Sequence, residues 1–121
     1  MEKKYFKELI VWQKAMDLVV EVYSITKTLP RNEQFGLISQ LRRAVVSIPS
    51  NIAEGNSRNT TKEYVQFLNI ALGSKAEVET QLEICVRLKY IDSEQVSKSL
   101  NLCSEVGKML NSIIKKLTPK S

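Results

Sequence analysis

Apolar positions along the chain recur at spacings of three and four, the period of helices lying on a shared core. In the middle, Leu37, Leu41, Ala44 or Val45, Ile48 and Ile52 form one apolar stripe. Gln40, Arg43, Ser47, Ser50 and Glu54 recur at the same spacing on the opposite side. The stretch predicts a helix with one packed face and one hydrogen-bonding face. Pro49 falls inside it, where a missing N–H deprives the Val45 carbonyl of its donor, so a kink is expected there.

The first helical pattern carries two adjacent stripes. One is Leu9, Trp12, Met16, Val19 and Tyr23; the other is Val11, Ala15, Leu18, Val22 and Ile25. Two stripes exceed what a single bundle seam needs. Either the helix is deeply buried in a monomer, or one flank meets another subunit. Pro30 ends this helix, and Asn32 with Glu33 starts the next, which Gly55 and Asn56 stop. Thr60 and Glu63 stand at capping-box spacing, and Asp92 with Gln95 opens the last helix. Gly73 and Ser74 interrupt the third pattern, either to admit another backbone closely or simply as a weak point. In the last helix, Val96, Leu100, Cys103, Gly107, Leu110, Ile114 and Leu117 make a regular seam.

The patterns place helices at about 9–28, 33–54, 61–89 and 93–117. Short connections make sequential helices antiparallel neighbours. The expected fold is all-α: one antiparallel up-down-up-down four-helix bundle spanning residues 1–121, its second helix kinked at Pro49.

Composition narrows the chemistry. The chain has 121 residues, is 43% hydrophobic and 26% charged, and contains no histidine. Lack of histidine removes Ser-His and Cys-His catalysis, the Glu-x-x-His ligands of di-iron bundles and most mixed-ligand zinc sites. No nucleophile–base pair, glycine-rich phosphate loop or metal-ligand spacing appears, so no enzyme activity, cofactor or metal is expected. Glu77, Glu79 and Glu83 form the one acidic cluster, which lacks a converging third ligand. A solvated face, or pairing with Arg42 or Arg43, is the expected role. Cys85 and Cys103 fall at apolar helical positions and read as reduced core residues. No apolar run is long enough to span a bilayer and the first residues lack a secretion-signal core, so the expected location is the cytoplasm, with no membrane partner. The formal net charge of +5 permits a polyanionic partner without requiring one.

Several segments resemble one known family: Val11-Trp12-Gln13-Lys14-Ala15, Leu29-Pro30, Phe35-Gly36-Leu37, the stretch from Gln40 to Gly55, and Gly73-Ser74 through Thr80-Gln81-Leu82. They are similar to the bacterial four-helix bundle proteins encoded in intervening sequences of 23S ribosomal RNA genes, over nearly the whole chain. That family is in turn similar to the accessory variability protein of diversity-generating retroelements. The resemblance to this relative implies a homo-oligomer, a five-membered ring of bundles, whose basic surface engages nucleic acid and a reverse transcriptase.

The expected topology gathers Lys3, Lys4, Lys7, Arg58, Lys62, Lys115, Lys116 and Lys120 at one end, opposed chiefly by Glu2, Glu8 and Glu63. These cations are the candidate contacts to RNA or DNA phosphates. The bland reading is that terminal lysines merely solvate and complement a helix C-terminus. Gln40, Arg42, Arg43, Ser47, Ser50, Asn51 and Glu54 are the candidate polar network. Arg43 paired with Gln40 or Ser47 at a subunit interface is preferred over a phosphate clamp. No base-stacking aromatic is expected on this face, which argues against sequence-specific reading of single strands. Tyr5, Phe6 and Trp12 read as an apolar end-plug or a sticky patch.

The expected function is therefore a non-enzymatic, oligomeric, nucleic-acid-associated bundle. The alternative is a ring-shaped scaffold that docks another protein, such as a polymerase, with no intrinsic nucleic-acid role.

Overall fold

The structure is a computed structural model that describes residues 4–119. Four helices build it: α1 (Ile10–Thr26), α2 (Leu37–Asn56), α3 (Thr61–Arg87) and α4 (Ser93–Leu117). Single 3-10 turns at Phe6–Glu8 and Arg31–Glu33 precede α1 and α2. Each helix packs on the next and α4 returns to α1, closing a four-cornered bundle. Cross-helix pairs fix the directions. Ser47 of α2 meets Ser74 of α3 at 2.8 Å, and Gln40 meets Gln81 at 3.4 Å, so numbers rise along one helix as they fall along its neighbour. Lys14 with Glu105 (3.1 Å) and Glu21 with Lys98 (2.9 Å) give the same antiparallel relation for α1 and α4. These exposed ion pairs add little stability but report the register.

The core holds Leu18, Leu41, Ile48, Ile52, Leu68, Leu82 and Leu110 without exposed surface. Burying each such side chain contributes about 1.5–3 kcal/mol. Of the two α1 stripes, Val11, Ala15, Leu18, Val22 and Ile25 face this core. The other lies on the flank toward α2. Trp12, Val19 and Tyr23 pack only partly, and Met16 remains 39% exposed.

Three helix ends have local causes. Thr60 Oγ1 accepts from the Glu63 amide (3.2 Å) and donates to its carboxylate (2.9 Å). Asp92 and Gln95 form the reciprocal capping box, at 2.8 and 2.9 Å. α3 ends in a Schellman turn: Lys89 adopts φ 65°, its amide donates to the Val86 carbonyl (2.9 Å), and the Tyr90 amide donates to the Cys85 carbonyl (3.0 Å).

α2 departs from the expected span at both ends. It starts at Leu37 rather than near residue 33, with Gly36 at the N-cap and Asn32 in the preceding 3-10 turn. Glu33 supplies the missing acceptor: its carboxylate takes the Leu37 amide at 3.3 Å and the Tyr90 hydroxyl at 2.8 Å. At the other end, Gly55 and Asn56 belong to the last turn and are buried. A Cβ on Gly55 would lie 2.7 Å from Phe67 Cβ and 3.0 Å from Tyr64 Cδ1. Gly55 therefore permits the close approach of α2 and α3, and does not terminate the helix. α2 continues through Pro49, which is buried. Gly73 admits no close neighbour, since a Cβ there meets nothing within 4 Å; Ser74 is the buried member of that pair.

Cys85 and Cys103 are free, buried thiols. Burial, and secondarily Glu79, pushes Cys103 up to about 12; burial with Glu33 also raises Cys85. Among the described residues, no helix is long and apolar enough to cross a membrane.

Candidate nucleic-acid interface

The antiparallel order brings the start of α1, the α2–α3 turn and the end of α4 to one end of the bundle. Lys4 and Lys116 line the same surface cavity of about 400 Å³, floored by Leu9, Met109 and Ile113. Lys62 borders a neighbouring, more apolar cavity of about 540 Å³ with Val65, Leu117 and Pro119. Lys115 sits beside Lys116 in the last turn of α4. Lys7 lies just before α1, its ammonium 6.0 Å from the Tyr5 ring centre. Tyr5 meets Phe6 in a tilted contact and Phe6 meets Trp12 edge-to-face, with centroids 4.7 and 5.4 Å apart, so an aromatic cluster joins this end.

Lys4, Lys7, Lys62, Lys115 and Lys116 are all exposed. Among the described residues, none has a carboxylate within ion-pair distance. Lys3 and Lys120 lie outside the described residues. Arg58 differs from the lysines in kind. Its guanidinium pairs with Glu54 at 2.6 Å, reaches Glu63 at 4.0 Å, and lies 4.9 Å over the Phe67 ring. It braces the α2–α3 turn. Glu63 is engaged by Arg58 and by Thr60, while the exposed Glu8 lines the Lys4–Lys116 cavity.

The polar face of α2 divides into several arrangements rather than one network. Arg42 leaves that face for α1: its Nε donates to Thr26 Oγ1 at 2.9 Å and its guanidinium lies 4.6 Å over Tyr23. Glu54 is taken by Arg58. Asn51 Nδ2 donates back to the Ser47 carbonyl (2.8 Å) and hydroxyl (2.9 Å), and Ser50 is exposed. Within the single chain, Gln40 meets Gln81 and Ser47 meets Ser74, and Arg43 bonds neither of them among the described residues.

Arg43 instead lines a groove of about 530 Å³ between α2 and α3, together with Gln40, Ser47, Glu77, Gln81 and Phe35. Phe35 corrects the sequence reading, which placed no stacking aromatic on this face. It comes from the connection before α2, outside any helical stripe, and is 92% exposed. Its position just ahead of the Gly36 N-cap was the available signal. Gln81 Oε1 is buried in this groove without a hydrogen-bond partner. Glu79 pairs with Lys75 at 3.0 Å, away from Arg42 and Arg43. No group of three potential metal-ligating side chains converges among the described residues.

Fold and site together define an antiparallel four-helix bundle with one basic end and one polar side groove. Within that class, residues 7–112 match the family described as 23S rRNA-intervening sequence protein, and the chain belongs to that family. A crystal structure from Bacteroides thetaiotaomicron, of a protein of unknown function from the S23 ribosomal protein family, is similar. It is 35% identical, with a TM-score of 0.81, over 88% of this chain and 99% of that one. A search of curated proteins finds no match.

Proposed function

We propose that this bundle associates with nucleic acid in the cytoplasm through phosphate contacts at its basic end, without catalysing a reaction. The observation that carries the reading is the cluster of Lys4, Lys7, Lys62, Lys115 and Lys116, exposed and without carboxylate partners among the described residues. Such lysines contact phosphates as point charges, so binding is sequence-tolerant and steeply salt-dependent. The test is a titration of the purified protein with structured RNA and with duplex DNA at low and physiological salt. Affinity that falls steeply with salt is expected. Absence of binding at both salts would remove this reading.

A second reading, self-association into a ring that also docks a protein partner, is favoured by the α1–α2 flank. Met16, Val20 and Val46 are 39%, 65% and 39% exposed there, beside half-buried Trp12, Val19 and Tyr23. Exposed apolar side chains that group on one flank mark interaction sites when they form a single patch. A cyclic pentamer, as the resemblance implies, would present every basic end on one side and multiply the field. Light scattering of the protein and of Val20→Glu is the check: an assembly that dissociates on substitution supports the flank, and a monomeric wild-type protein removes it.

A further inference from the structure

We propose that the α2–α3 groove holds one unpaired nucleotide of a single-stranded nucleic acid, with the base on Phe35 and the phosphate on Arg43. The inference rests on the nucleic-acid reading above and deepens it, since it adds a site for unpaired bases to a basic end that touches only backbone.

Four features of the groove converge. Phe35 presents a ring that is 92% exposed, more than any other large apolar side chain among the described residues. An aromatic ring held in water beside hydrogen-bonding groups is a stacking platform, and every base offers it a π-face. Arg43 is exposed, and no ion pair or hydrogen bond engages it among the described residues. Its planar fork suits a phosphate. Gln81 Oε1 has no donor within the fold, and a turn of this amide toward the groove it lines would let a base N–H reach it. The paired amides of Gln40 and Gln81 offer both a donor and an acceptor to a base edge.

Glu77 completes the chemistry. Its exposed carboxylate in the same groove accepts from an exocyclic amino group and repels a second phosphate. The groove therefore suits a single nucleotide and not a continuous backbone. Its volume of about 530 Å³ falls within the range of small-ligand clefts. A duplex keeps its bases stacked and cannot offer one to Phe35, so the site discriminates paired from unpaired strands.

The test is fluorescence anisotropy with a labelled single strand of about 12 nucleotides, as RNA and as DNA, and with the duplex of the same sequence. Phe35→Ala is expected to weaken single-strand binding about tenfold, leave duplex affinity unchanged, and preserve the fold because the ring is exposed. Phe35→Trp retains single-strand affinity. Arg43→Gln weakens the single strand and lowers its salt slope by about 0.7. Lys115→Gln with Lys116→Gln weakens both ligands. Unchanged single-strand affinity in Phe35→Ala, with both ligands still dependent on the lysines, would overturn the groove site and leave the basic end intact. A Phe35→Ala protein altered in assembled mass but not in single-strand affinity would also overturn it, making the groove a contact between copies. No binding of either ligand by the wild-type chain would overturn both readings.

Discussion

Removing lysines from the basic end gives a quantitative test, because counterion release converts a number of contacts into a slope. Lys4, Lys7, Lys62, Lys115 and Lys116 are the exposed cations at this end that lack carboxylate partners among the described residues. If each neutralises one phosphate of a duplex, log K falls against log salt with a slope of about −4.5 per protomer. A fourfold rise in salt then costs about 500-fold in affinity. Substituting Lys62, Lys115 and Lys116 together by glutamine leaves two contacts, a slope of about −1.8 and a loss of about 12-fold over the same rise. The assay is anisotropy of a labelled duplex across a salt series, read as the slope.

Arg58→Gln is the internal control. Arg58 lies at the same end, but its guanidinium is committed to Glu54, Glu63 and Phe67. Removing it should leave the slope unchanged and lower stability by about 1 kcal/mol, the sum of an exposed ion pair and a cation–π contact. The lysine variant also loses cations that complement the C-terminus of α4, at about 0.3–1 kcal/mol each for Lys115 and Lys116. Circular dichroism therefore accompanies every slope. A triple variant with the wild-type slope would refute the reasoning. So would an Arg58→Gln protein whose slope falls as far as that of the triple variant.

Three further outcomes test the packing. Gly55→Ala should destabilise by about 1–3 kcal/mol, since its Cβ would press on Phe67 and Tyr64, whereas Gly73→Ala, open on all sides, should stabilise by about 1 kcal/mol; urea midpoints compare the two. Lys89→Gly should stabilise by about 0.5–1 kcal/mol in the same assay, because Lys89 holds φ 65° in the α3 Schellman turn. Alkaline pH should destabilise the fold through Cys103, whose thiol is raised from 9.0 to about 12. The folded state keeps its proton longer than the unfolded chain, so this contribution is complete below about pH 9 and is lost as pH rises toward 12. By about pH 10.5 the loss is on the order of 2 kcal/mol, and it should be absent from the pH dependence of Cys103→Ala.

What the sequence made legible is what local periodicity encodes. The Thr60–Glu63 and Asp92–Gln95 caps act over three residues, and the core stripe of α1 follows the helical repeat, so these expectations match the structure. Gly55 looked like a stop signal because its real reason lies across the turn, in Phe67 and Tyr64 of the next helix. The helical repeat separates Arg42 from Arg43 by about 100° and puts Arg43 on the polar face, but the partner of Arg42 lies on another helix, at Tyr23 and Thr26, which no local spacing reveals. Phe35 falls inside the helix expected from residue 33, whereas α2 starts at Leu37, so its place in the connection, where no repeat predicts a direction, was not legible.

The same division runs through the two candidate surfaces. The basic end follows from topology alone, since antiparallel helices must gather their termini, and its lysines were nameable in advance. The groove depends on one connection residue and on which long side chains already have partners. Arg42 leaves the polar face through its bond to Thr26, Glu54 is taken by Arg58, and Asn51 turns back onto Ser47, which leaves Arg43 without a bonded partner on that face among the described residues. Specificity for unpaired bases would thus arise from what the packed structure leaves unpaired, while general affinity would arise from charge count. Variants of Phe35 and of the lysines should then act on separate quantities, the single-strand preference and the salt slope.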